Sequence, residues 1–139
     1  MKDMENVKLM EFDTPNKNGR IYPKDVVENA IKEYMSHNTD GRIMGELGTR
    51  MEFGLSLNNT SHYFSNIHSD DHFLYGDMTV LDTPCGQILD EVLNQDSPVT
   101  LYCAPKGTAE MDENKVVEYH LTSIDIVEDG AFKNCKING

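Results

Sequence analysis

The sequence predicts an α+β fold in which a small closed or half-closed β-barrel is flanked by helices. Three observations predict it. Strand-type runs outnumber helical ones, two stretches of helical spacing fall between those runs, and Val116–Val127 is a long apolar run suited to a central strand. The chain has 139 residues and no internal repeat, low-complexity tract or Pro/Gly/Ser linker, so residues 1–139 are expected to form one domain.

Val7–Phe12 is short and apolar-rich and runs into the turn cluster Asp13-Thr14-Pro15-Asn16, which reads as a strand. A polar loop, Asn16–Arg20, follows, with Gly19 free to take positive φ. Pro23 stands where a helix begins. Val26, Val27, Ala30, Ile31 and Tyr34 recur at helical spacing, so a helix is expected over Lys24–Ser36, stopped by Asn38–Gly41. Ile43–Leu47 reads as a buried strand entering a loop at Gly48. Residues 61–67 and 73–81 read as two strands joined by a turn at Ser69-Asp70-Asp71. Thr83 followed by Pro84 is an N-cap with proline at the first helical position, and Ile88, Leu89, Val92 and Leu93 give the apolar face of a helix over residues 84–94. Pro98–Ala104 is a further strand-prone run before the long one at 116–127.

Charge narrows the function. Lys plus Arg number 12 against 24 Asp plus Glu, a net charge of −12. A nucleic-acid surface needs a clustered cationic footprint, so no nucleic-acid partner is expected, and for the same reason no anionic membrane surface. Apolar runs are only a few residues long, and Met1–Asp3 opens no signal-like segment. Cys85, Cys103 and Cys135 are an odd number without CxxC spacing, which speaks against a zinc site or a disulfide framework and fits a reducing compartment. Of the histidines, His68 and His72 flank an acidic turn and cannot share a helical face. Asp70-Asp71 lacks calcium-loop spacing, and no Gly-rich loop precedes a helix. No metal and no cofactor are expected. There is no GxSxG elbow either.

The order of short motifs is more informative than any one of them. Asn16–Lys24 (NKNGRIYPK) leads into the first helix, Gly45-Glu46-Leu47 follows it, and Thr60-Ser61-His62 opens a strand. Leu74-Tyr75-Gly76 lies in the next strand, Leu81–Gly86 (LDTPCG) opens the second helix, and Ile124-Asp125-Ile126-Val127 closes the series. Over about residues 7–130 this succession resembles the prohead (head maturation) proteases of tailed phages, which are related to the herpesvirus assemblins. The resemblance implies their barrel fold.

It also implies a site, and here the chain departs from the pattern. The family's nucleophile is the first Ser of a Gly-(Val/Ile)-Ser-Ser-Arg-Gly segment. The matching stretch Tyr102–Gly107 (YCAPKG) puts Ala104 there, with Pro105 deleting a backbone N–H beside the expected oxyanion position. The family's catalytic His follows Gly-Glu-Leu-(Asn/Asp); Gly45-Glu46-Leu47-Gly48 is followed by Thr49. A methyl group cannot attack a carbonyl, and a threonine hydroxyl is no base near neutral pH. His120 falls near the third, orienting position of the assemblin-type Ser-His-His arrangement. Three alternatives stay beside this reading: Ala104 as an engineered inactivating change, Cys103 as replacement nucleophile, and a shifted register with His62 as base. In an extended segment Cys103 and Ala104 point to opposite faces, which sets Cys103 toward the core if Ala104 faces the site.

The resulting expectation is a catalytically inactive, prohead-protease-like structural or assembly component of a phage head. It would contact the major capsid protein or other head proteins, in the host cytoplasm during assembly and in the virion head afterwards. The alternatives are an active serine-type protease cleaving scaffold and capsid precursors, and an inhibitor or regulator of the cognate prohead protease.

Overall fold

The computed structural model describes residues 3–38, 40–48, 50, 55–95 and 99–138. Its elements are β1 (Asp3–Glu11), α1 (Lys24–His37), β2 (Ile43–Glu46), β3 (Thr60–Ser69), β4 (Phe73–Val80), α2 (Pro84–Asn94), β5 (Tyr102–Asp112) and β6 (Lys115–Val127). The strands pair antiparallel in two sheets, one ordered β1-β4-β3-β2 and the other the β5-β6 hairpin. No described helix is long and apolar enough to cross a membrane.

The α+β content matches the expectation, but the sheets do not close into a barrel. Among the described residues they join through a parallel bridge between Leu47 and Ile126, supported by the Gly48 N–H donating to the Ile126 carbonyl at 2.8 Å. The outer edge of β5 is occupied instead by the segment near the C-terminal end. Cys103 N–H donates to the Cys135 carbonyl at 3.0 Å and Ile137 N–H to the Leu101 carbonyl at 2.9 Å. The start of β5 is thus paired with this segment, bridged at Tyr102 and Lys136, and not with β1.

Local chemistry accounts for the elements that hold the site. In the loop before α1, the Asn16 side-chain oxygen accepts from Asn18 N–H and Arg20 N–H, both at 3.0 Å, while Gly19 takes φ 79°. Ile21 then pairs with Lys115 at the start of β6, so the loop delivers α1 onto that strand. Helix α1 buries Val27 and Ala30. Thr83 caps α2 by accepting from Gly86 N–H at 3.0 Å, and its own hydroxyl donates to the Thr60 carbonyl at 2.5 Å, tying α2 to the start of β3. The core comprises Leu9, Met10, Ile43, Phe64, Met78 and Leu89 together with Ile124 and Ile126 of β6.

One strand departs from its sequence reading. The run at 98–104 has the stronger β-propensity, yet β5 is Tyr102–Asp112, because pairing with the long β6 run, not propensity, sets its extent. Pro105 is tolerated within it. The Ile124 and Ile126 carbonyls both point to the β2/β3 side, toward His62 and Gly48, so Pro105 faces Ile124 at a position where the ladder uses no N–H.

Candidate functional site

The β5–β6 register builds the site. Ala104 lies opposite Asp125, and Lys106 opposite Ser123, so these four side chains share one face of the hairpin. Cys103, Pro105, Ile124 and Ile126 share the other, which is the core face. Ala104 is half-buried, whereas Ser123 and Asp125 are buried.

Asp125 is the anchor of this polar face. One carboxylate oxygen accepts from Glu46 N–H at 3.0 Å and from the Ser123 hydroxyl at 2.9 Å. Glu46, itself buried at the end of β2, accepts from the Arg50 guanidinium with both oxygens, at 2.7 and 2.9 Å, and from Ser56 N–H at 2.7 Å. The Arg50 hydrogen bond, more than any other influence, holds the Glu46 carboxyl below its ordinary range. Burial pushes Asp125 up, against the pull of its hydrogen bonds to Glu46 N–H and Ser123, and the negative charge of Glu46 adds to the rise. Every buried side-chain polar atom among the described residues has a partner. The strands β2 and β6 therefore meet in a satisfied polar network, with Ala104 of β5 cross-strand from its Asp125.

The other residues singled out from sequence lie as follows. Thr49 is outside the described residues. His120 stands opposite Thr108, four residues along β5 from Ala104 and so on the order of 13 Å away. There it ties β6 to α1, with Nδ1 2.7 Å from Glu33 and Nε2 3.1 Å from Glu118. The hydrogen bond to Glu33, then the charge of that carboxylate, raises its pKa. It does not stand beside Ala104; the residue opposite Ala104 is Asp125. Cys103 is fully buried, and burial first, then the Cys135 thiol, pushes its pKa well up, so the thiolate that a nucleophile needs is disfavoured.

His62 is fully buried, its ring packed edge-on to Phe64 with centroids 5.1 Å apart. Its Nε2 lies 2.8 Å from the Ile124 carbonyl and its Nδ1 2.6 Å from the Ser61 hydroxyl. A carbonyl only accepts, so Nε2 carries the proton and Nδ1 accepts from Ser61. Desolvation lowers the ring to about 4, against the opposing bond to Ile124. Neither nitrogen is left for a proton from elsewhere, and the pair Ser61–His62 is sealed from substrate. Gly45 makes the arrangement possible. A Cβ there would sit 1.9 Å from the Ile124 carbonyl oxygen and 2.2 Å from His62 Nε2.

Asp125, Ser123 and Arg50 are the residues that sequence reasoning passed over. The signal for Asp125 is an acid in the middle of an apolar strand, Ile124-Asp125-Ile126-Val127.

No protein-family model matches the chain, and no curated protein matches it in sequence. A solved structure does. The fold is similar to that of the bacteriophage T4 capsid assembly protease, gp21, with a TM-score of 0.72 over 91% of each chain. Sequence identity over that match is 17%. The protein thus has a prohead-protease-like fold, in agreement with the resemblance drawn from its motifs.

Proposed function

We propose that this chain is a catalytically inactive protein of prohead-protease fold, one domain over residues 1–139, acting as a structural or assembly component of a tailed-phage head. The observation that carries this reading is the Ala104 methyl group, set on β5 opposite Asp125 at the position where the family's motif has its nucleophile. Removing the nucleophile of a catalytic unit costs on the order of 10⁶ in turnover, and losing the base adds little because the unit acts as one. What remains is a shell with surfaces. Its partners are head proteins, the major capsid protein first, and a net charge of −12 directs it toward protein and away from packaged DNA.

The deciding experiment incubates the purified chain with capsid and scaffold precursors, and in parallel looks for it in purified proheads and virions by mass spectrometry. Intact precursors together with a fixed copy number in particles are the expected results. Precursor cleavage, or absence from both particles, overturns the reading. Activity in an Ala104→Ser, Thr49→His double variant would support the assignment of the lost positions.

A further inference from the structure

A second feature lies at the end of β6. Between α2 and the end of β6 runs an open groove of about 450 Å³, within the range of ligand and peptide sites. Its walls are Leu47, Ile88, Leu89, Val92, Val99 and Leu101, and its floor the end of β6. Ile88 and Val92, four residues apart, present one face of α2. Ile88 is 51% exposed and carries the apolar wall of the groove out to solvent.

Two properties select the occupant. First, apart from Gly48 the groove is lined by side-chain-bearing residues, and two of its backbone carbonyls are already engaged. The Ile126 carbonyl is taken by Gly48 N–H and the Leu101 carbonyl by Ile137 N–H, which disfavours pairing of an extended peptide there. Second, its charge has one sign. Among the described residues Glu128 is the sole ionisable residue lining it and no cation does so, while Glu91 stands three residues from Ile88 on the exposed side of α2. The whole chain carries −12, so a second copy would bring like charge to an acidic rim.

We propose that this groove docks a basic amphipathic helix of a partner protein, its aliphatic residues at i, i+3, i+4 and i+7 entering between Ile88, Val92, Val99 and Leu101 and its Lys or Arg residues meeting Glu91 and Glu128. Ala104 is not among the residues that line the groove, so the proposal holds whether or not Ala104 marks a lost nucleophile.

The test uses the full chain and a fluorescent synthetic helix with Leu at those four spacings and Lys on its other face, read by anisotropy. A scrambled peptide of the same composition and a Glu-for-Lys peptide are the comparisons. Binding of the basic amphipathic helix is expected, with weak or no binding of the other two. Ile88→Glu should weaken it about tenfold or more, as loss of a central anchor does. Val117→Glu should not, since Val117 is equally exposed, at 51%, but sits on the β5–β6 hairpin away from the groove. The two variants add the same charge, so a general electrostatic effect would move both. Equal binding of the scrambled peptide, equal loss in both variants, no binding at all, or self-association of the wild-type chain lost in Ile88→Glu would each overturn the proposal.

Discussion

Acidification should destabilise this protein through one buried ring. His62 has an ordinary pKa of 6.5 when unfolded and about 4 in the fold, because desolvation outweighs its bond to the Ile124 carbonyl. A group depressed in the native state contributes full stability above its unfolded pKa and loses it as pH falls through the folded value. The window is therefore from about pH 6.5 down to about pH 4. Between about pH 7.5 and about pH 5 the linkage comes to about 2 kcal/mol, and the full shift to about 3 kcal/mol. Urea denaturation across that range, compared with His62→Gln, isolates the contribution, since carboxylates titrate alike in both proteins. NMR titration of the His62 ring in the wild type gives the same answer without a variant. A ring midpoint near the ordinary histidine value, or parallel pH profiles for wild type and His62→Gln, would refute the reasoning.

Three further outcomes follow from the same geometry. Gly45→Ala should destabilise by about 3 kcal/mol in chemical denaturation, because its methyl group would overlap the Ile124 carbonyl and the His62 ring. Asp125→Ala should cost about 2 kcal/mol by stranding Glu46 N–H and the Ser123 hydroxyl, whereas Asp125→Asn keeps an acceptor without a buried charge and should melt close to the wild type at neutral pH. His120 has the opposite sign to His62. Its raised pKa means that its tie to Glu33 is present below the ordinary histidine value and is lost as pH rises through the folded one. Protection factors in α1, which take out base-catalysed intrinsic exchange, should then fall on alkalinisation, and Glu33→Gln should weaken that dependence, with Glu118 holding the remainder.

The two helices were legible because their signals are local. Thr83-Pro84 and the apolar spacing behind it place α2 at the bounds observed, and the first helix differs by one residue. The hairpin turn at Asp70 was equally legible: its carboxylate accepts from His72 N–H and Phe73 N–H, both at 2.8 Å. What failed depends on distant pairing. The extent of β5 is set by β6, and its other edge is met at the start by residues 135–137, which carry no strand pattern of their own. The site divides in the same way. Ala104 stood out as a residue type at a motif position, but Asp125 as its neighbour requires the register of two strands, and the separation of His120 from Ala104 requires the ladder between them.

The short segment over the edge of β5 has a consequence for self-assembly. Cys135 and Ile137 shield one N–H and one carbonyl that would otherwise sit bare on a strand rim. A truncation removing them would leave an adhesive border facing solvent, and neighbouring molecules could zip onto it in concentration-dependent chains. Those few residues cover part of an otherwise bare strand rim, a protection that substitution at Ala104 would leave untouched.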